Sequence, residues 1–380
     1  MDSEDFAFLR DENTVYLDSA CMSLRPDRVV RKIKEYYEEY PGCPGRSAHS
    51  VGRRASQERC DARDEVSSLI GCDEENLVFT SGTTEGINLI AHSGDFDRVV
   101  VSDRAHNSNL LPWQEHVDSV SVVSTKGGFD ASTLKDRVSP GDLVSITETS
   151  NLDGYRLPVE DIVDVAHEVG AFVLVDGAQA VPHRPVDVQG LGADYYVFSG
   201  HKMLGPSGTG GLFVSERGRR RIKPFMLGGG GVTDATVQGR EPKPFPHNFE
   251  AGLPNMAGLV GLGEAAKYLS SAGMGVVRDE VERLTSRLDE VLRDTPGVEV
   301  VGRAGLGIRS FRVGDMSSHQ VASLLDEQGI AVRAGQHCLH HWFNEYEEEP
   351  TVRASLHCYN DEDDIVRFED ALETIAYLSR

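Results

Sequence analysis

Asp176, Gln179 and Lys202 stand in AFVLVDGAQAVPH (171–183) and YYVFSGHKMLGPSG (195–208). The first segment is an apolar run, Phe172 to Val175, closed by an acid and then Gly-Ala-Gln. This is the pattern of a buried parallel strand that delivers Asp176 to its C-terminal edge, where α/β sheets place ligands. The second segment predicts a strand from Tyr195 to Phe198 that runs into Ser-Gly-His-Lys and a Gly-rich turn. A carboxylate and a lysine on neighbouring strand ends are what pyridoxal phosphate requires. The amine condenses with its aldehyde, and the carboxylate keeps the pyridine nitrogen protonated so that the ring can accept electrons. Ser199 and His201 stand where they can bind the phosphate or hydroxyl of such a ring. Singly, an acid after an apolar strand is common in doubly wound folds, and a lysine beside glycine is ordinarily a solvated loop residue. At this spacing the pair points to the cofactor.

Four further segments fit. Ser81-Gly82-Thr83-Thr84-Glu85-Gly86 lies between an expected strand and helix. Backbone N–H groups at such a helix start, with the hydroxyls of Thr83 and Thr84, form a phosphate cup; the same residues also simply cap helices. His106 follows the run VVVS and is placed to stack on a ring. Asn151, in TETSNLDGY, is either a turn residue or a hydrogen-bond partner for ring oxygen or substrate. Arg353, in the apolar strand TVRASLH, needs an anion: an amino-acid carboxylate or an internal salt bridge.

From Asn76 onward NLVFTS, DRVVVS, DLVSIT, AFVLVDG, DYYVFSG and GGLFVSE alternate with helical stretches. That rhythm predicts an α/β fold with one mostly parallel sheet covered on both faces. A helix is expected after Pro26, on Val29, Val30, Ile33, Tyr36 and Tyr37. Beyond Asn255 the texture changes: a Gly/Ala-rich apolar segment, an amphipathic helix on Val277, Val281, Leu284, Leu288 and Leu292, short strands, and a closing helix around Phe368. The expected organisation is an arm (1–20) joining a small domain, a large cofactor-binding α/β domain (21–255), and a smaller α+β domain (256–380).

The order and spacing of these pieces resemble the class V aminotransferase-type pyridoxal phosphate enzymes, and within them the group II (SufS-like) cysteine desulfurases and selenocysteine lyases. YLDSA, FTSGTTEGINL, HNSNLLPWQ, VDGAQAVPH, FSGHKMLGPSG, FEAGLPN, GIAVRAGQHC and RASLHCYN carry the likeness over nearly the whole chain. The resemblance implies an aspartate-aminotransferase-like, fold type I large domain. Lys202 would hold the cofactor, Asp176 meet its ring nitrogen, Gln179 its hydroxyl, and His106 stack on it. Thr83, Thr84, Ser199 and His201 would take the phosphate and Arg353 the substrate carboxylate. Cys338, fifteen positions before Arg353, matches the catalytic cysteine: it would take sulfur from L-cysteine as a persulfide, release alanine, and pass the sulfur to an acceptor protein (SufE/SufU-like or an Fe–S scaffold) for iron–sulfur assembly or thiolation. His337 and Arg333 are placed to favour its thiolate. Glu85 is a supporting residue, and segments 42–49 and 249–255 imply a homodimer with shared sites.

Departures from the family pattern are Gln336, Leu339-His340-His341, Asn107, Gly231 and Leu253, the last where a threonine usually serves the neighbouring subunit's phosphate. Cys21 and Cys43 fall in segments expected to border the pocket, which is unusual. A C–S lyase, a selenocysteine lyase, an amino-acid epimerase or a non-catalytic sulfur-transfer scaffold are the competing readings.

The 380 residues carry 61 acids against 38 bases, a net charge of −23, and 30 of the bases are arginine. The acids are scattered rather than gathered in a tail, as on a heavily hydrated surface; self-repulsion at low salt is the expected cost, and a halophilic cytoplasmic protein is the reading. Such charge argues against nucleic acid or an anionic membrane as partner. No apolar run approaches the roughly 20 residues of a bilayer span. The six cysteines show no C-x-x-C pair and no zinc spacing, so no metal site and no disulfide is expected.

Overall fold

The computed structural model describes residues 3–10, 13–45 and 47–378. Its larger sheet has seven strands in the order Leu77–Thr80, Gly210–Val214, Tyr195–Ser199, Phe172–Asp176, Leu143–Thr147, Arg98–Ser102 and Ser119–Val123. The last five run parallel, and Gly210–Val214 opposes both of its neighbours. Leu143–Thr147, Phe172–Asp176 and Tyr195–Ser199 are buried along their whole length, which is why they read as unbroken apolar runs. The edge strand Ser119–Val123 was not anticipated. Only Val123 in it is buried, so its serines left no clear apolar signal.

Side chains alternate between two cores. Val100, Val144 and Val173 pack on one face with Val29, Val66 and Val163. Val99, Val101 and Leu174 pack on the other with Ile87, Ile90 and Trp113. The helix Asp27–Glu39 buries Val29, but Val30 and Tyr37 of its expected apolar face are exposed.

A second, four-stranded antiparallel sheet is ordered Val298–Val301, Ile308–Val313, Thr351–Ser355, Arg333–Gly335. Helices Met274–Asp294 and Glu362–Leu378 cover it through Leu284, Leu288, Phe368 and Leu372. The N-terminal strand Val15–Tyr16 pairs in parallel with Ile330–Ala331, and Val15 and Leu17 enter the same core. The helix Met256–Ala272, grouped by composition with the small domain, packs elsewhere. Its Leu262, Ala265, Ala266 and Leu269 join Val66, Leu69 and Ile70 in the core under the large sheet. Glycine permits this: a Cβ on Gly263 would lie 2.6 Å from Ala62 Cα. We therefore propose a boundary near Gly273 instead of residue 256. Among the described residues no helix is long and apolar enough to cross a membrane.

Candidate active site

Thr83, Thr84, His106, Asn151, Asp176, Gln179, Ser199, His201, Lys202, Cys338 and Arg353 line one cavity of about 220 Å³, whereas Glu85 and Cys43 lie outside it. Thr147, Asp176 and Ser199, the last residues of three adjacent strands, come to it from the large sheet, and Arg333 and Arg353 from the small one.

Asp176 lies in register with Thr147 and Val197 on the flanking strands, and its Oδ1 accepts the Ala178 N–H at 3.1 Å. Gly177 is obligatory: a Cβ there would fall 2.1 Å from the Tyr196 ring. Burial pushes the Asp176 carboxyl above its ordinary range, and Lys202 pulls it back. Burial lowers the Lys202 ammonium in turn, against the pull of Asp176, which favours the neutral, nucleophilic amine. His106 is pushed to about 3 by burial, then by Lys202 and Arg353, and His201 to about 4 by burial, then Lys202 and Arg25; both rings are neutral near pH 7. His106 Nδ1 accepts the Ser108 N–H at 3.1 Å.

At the start of helix Thr83–Ser93, Thr83 N–H donates to Ser199 Oγ, which donates to Thr83 Oγ1, each at 2.9 Å. Thr84 Oγ1 lies 2.9 Å from Ser108 Oγ. Gln179 Nε2 donates to the Ala20 carbonyl at 2.8 Å, leaving its Oε1 buried with no partner, as are Asn151 Oδ1, Thr147 Oγ1 and Thr149 Oγ1. Unpaired buried polar atoms are costly. Here they surround an amine, a carboxylate and a helix N-terminus, the donor set that pyridoxal phosphate fits.

The opposite wall is cationic. Arg333 and Arg353 sit directly across from each other on adjacent strands. They share one carboxylate: Asp18 lies 3.8 Å from Arg333 and 3.4 Å from Arg353. Arg353 is 2% exposed; its Nη1 donates to the Asn151 carbonyl at 3.0 Å, and its Nε has no partner. Like charges opposite one another are unfavourable, so the surplus charge favours an incoming anion.

Cys338 sits in the turn between strand Arg333–Gly335 and helix His340–Glu345, where His337 and Cys338 both take left-handed backbone angles, φ 50° and 60°. The loop is tied down: Asn107 N–H donates to the Cys338 carbonyl at 2.8 Å, and Asn107 Nδ2 lies 2.7 Å from His340 Nδ1. Leu339 is fully buried with Leu152, Trp342 and Phe343. Three departures from the family pattern, Asn107, Leu339 and His340, thus serve one anchorage.

The roles expected for Arg333 and His337 change. Arg333 Nη1 donates to Cys21 Sγ at 2.8 Å, so this cation serves the other thiol. His337 Nε2 pairs with Thr351 Oγ1 at 2.8 Å, and burial, then Arg353 and Arg333, push its pKa to about 2; it is neutral. Glu85 accepts the Ser81 N–H at 2.6 Å, tying the first turn of its helix to the segment before it. Cys43 is exposed and does not line this cavity, and Leu253 is 71% exposed.

The sequence reading missed Thr147 and Thr149, although TETS directly after a strand was a usable signal. It also missed His357, whose Nε2 lies 3.2 Å from the Lys202 carbonyl oxygen while its ring stacks on Tyr359. Among the described residues no cluster of His, Cys, Asp or Glu could hold a metal ion.

Residues 15–368 match the model of the family Aminotransferase class-V. The chain belongs to that family. A Methanothermobacter thermautotrophicus protein named "Probable cysteine desulfurase" is 39% identical, over 98% of this chain and 96% of its own length. The Haloferax volcanii protein named "Cysteine desulfurase" is 34% identical over 94% and 88% respectively. Among solved class-V structures, apo cysteine desulfurase from Thermococcus onnurineus NA1 superposes with a TM-score of 0.93 at 31% identity, covering 98% of this chain and 97% of that one. The class-V fold here is the fold type I arrangement, an α/β large sheet with a smaller α+β part.

Proposed function

We propose that this protein is a pyridoxal phosphate-dependent cysteine desulfurase of the SufS-like type, converting L-cysteine to L-alanine and holding the sulfur as a Cys338 persulfide. The observation that carries the reading is the convergence of Lys202, Asp176, Arg353 and Cys338 on one cavity. The names of its relatives support the same activity.

Lys202 and Asp176 would hold the cofactor's aldehyde and ring-nitrogen ends, Gln179 and His106 would contact its ring, and Thr83, Thr84, Ser199 and His201 would take its phosphate. When bound, the cofactor supplies an electron sink that weakens the substrate's Cβ–S bond. Arg353, assisted by Arg333, takes the substrate carboxylate and so fixes which bonds face the sink. Asn151 Oδ1 is left to orient the substrate. Lys202 Nζ accepts the Cα proton; Cβ, which keeps the electron pair of the broken C–S bond, takes one proton and Cα regains another, the two being the proton held by Lys202 and the one given up when the Cys338 thiol ionises. The Cys338 thiolate bonds to the substrate sulfur as the Cβ–S bond breaks, and alanine departs.

The persulfide then passes to a sulfur-acceptor protein for iron–sulfur assembly or thiolation, in the cytoplasm. A homodimer is supported by the exposed apolar group Phe225, Met226, Leu227 and Leu253, since contiguous exposed apolar surface marks interaction sites. The deciding experiment is product analysis with L-cysteine and a thiol reductant, comparing wild type with Cys338→Ala. Alanine and sulfide in equal amounts, lost on substitution, establish the reading. Pyruvate and ammonia, indifferent to the substitution, would make the enzyme a C–S lyase.

A further inference from the structure

The active cavity contains a second thiol. Cys21 lies in the turn after Asp18, where its N–H donates to the Asp18 carbonyl at 3.0 Å, and it lines the same cavity of about 220 Å³ as Cys338 and Lys202. It is half-buried, as Cys338 is. Its sulfur accepts a guanidinium N–H from Arg333 at 2.8 Å. A partly exposed sulfur beside an arginine is the setting in which cysteines act as nucleophiles, whereas structural cysteines sit inert in apolar surroundings. Cys358 illustrates the second kind, fully buried, with its thiol pushed up to about 12 by burial. Both cavity thiols also act on the same amine, since each raises the Lys202 pKa against the effect of burial. Lys202 is therefore within electrostatic reach of the two sulfurs from the arm and from the Cys338 loop.

The bond network separates their duties. Cys338 is held by its backbone through Asn107 and by its neighbour His337 through Asn151. Among the described residues, Cys21 is held through its backbone N–H and, unlike Cys338, also has a hydrogen bond to its sulfur, from Arg333. A thiol with a cationic donor and no part in cleaving the substrate suits a sulfur recipient. Resting on the desulfurase reading, we propose that Cys21 is an internal sulfur acceptor that takes the terminal sulfur from the Cys338 persulfide.

The step is an exchange with no net redox change. The Cys21 thiolate attacks the outer sulfur of Cys338–S–SH, a new S–S bond forms at Cys21, and the old one breaks. The electron pair leaves with Cys338, which is restored as a thiolate, and the proton of the migrating S–H stays with its sulfur. Cys338 is then free for another L-cysteine while the first sulfur waits at Cys21, paired with Arg333.

The test uses the cofactor-loaded enzyme, treated with L-cysteine in the absence of reductant and of any acceptor protein, then alkylated, digested and read by peptide mass. In wild type the Cys21 peptide should carry one additional sulfur. In Cys338→Ser it should carry none, because the donor is missing. In Cys21→Ser the Cys338 peptide alone should be loaded, and the burst of alanine should fall to about half that of wild type. Loading on Cys338 with Cys21 always bare and an unchanged burst would overturn the internal transfer and leave the desulfurase reading standing. A Cys21–Cys338 disulfide with release of sulfide, in place of a sulfur-bearing Cys21, would overturn it as well. Absence of sulfur from both peptides would defeat the desulfurase reading itself.

Discussion

The side-chain amide of Asn151 donates to the backbone carbonyl of His337 at 2.7 Å, joining the loop after strand Leu143–Thr147 to the turn that carries Cys338. That turn holds two consecutive non-glycine residues in left-handed conformation, each costing on the order of 1–3 kcal/mol, so it persists only because its neighbours determine it. Asn151→Ala removes one tether. Alkylation of Cys338 should become faster, and alanine formation should fall about 10–100-fold, the scale on which slight misplacement of a reacting group acts. Timed alkylation followed by peptide mass would check it, and unchanged reactivity would mean that Asn107 and the buried Leu339 suffice.

Lys202→Ala removes the amine proposed both to hold the cofactor and to move the proton. The purified variant should lack the visible absorbance of a lysine-bound cofactor, and turnover should drop about 1000-fold or more, in the range of losing a general base. Exogenous methylamine should restore part of the rate if proton transfer is what was lost.

Acid should destabilise the fold through its buried histidines. His106 is pushed to about 3, His337 to about 2 and His357 to about 4, in each case first by burial, against an ordinary value of 6.5. Between 6.5 and these values the unfolded chain binds more protons than the folded one, so stability is full above about 6.5 and is lost as the pH falls towards 3. Asp176, Asp18 and Asp364, raised first by burial, and Glu74, raised first by its hydrogen bond with Asp64, act in the opposite direction, but His183 and His201 are lowered by burial as well, so five rings face four carboxyls. Thermal melts should show Tm dropping between pH 6 and 4, and a His357→Gln variant should flatten part of that slope.

Arg104 and Asp153 form an ion pair at 2.6 Å with both side chains 1% exposed. Asp153 Oδ2 also accepts the Arg303 N–H at 2.6 Å. Asp153→Ala should cost about 3–5 kcal/mol, because it leaves an uncompensated buried charge. Denaturant unfolding would measure the loss, and a loss below about 1 kcal/mol would show that Arg104 finds water.

The net charge of −23 should make stability rise with salt. Raising KCl from about 0.1 M to about 1 M shortens the Debye length from roughly 10 Å to 3 Å and screens the repulsion among the acids. A Tm that does not change over this range would remove the halophilic reading.

The large sheet was legible because its central strands are buried on both faces and so carry unbroken apolar runs. Ser119–Val123 was not, since an edge strand with one buried residue has little to distinguish it. The helix Met256–Ala272 was grouped with the small domain because composition reports that a helix is buried, not what buries it; its packing on Val66 and Leu69 is what supports the boundary proposed near Gly273. In the site, Asp176, Lys202 and Thr83 were readable from their positions at the ends of strands and the start of a helix, where local geometry aims the side chain. Cys338 and Arg353 were readable by the resemblance of their segments.

By itself the sequence determined which side chains are delivered to the open edge of the sheet, because strand periodicity and turn chemistry are local properties of the chain. Only the tertiary structure decided who pairs with whom. Arg333 was expected beside Cys338 and bonds instead to Cys21, 312 positions away. That choice depends on the arm Val15–Tyr16 pairing with Ile330–Ala331 and on the sharing of Asp18 by two arginines. Such contacts are set by packing between distant segments, and a one-dimensional pattern holds no record of them.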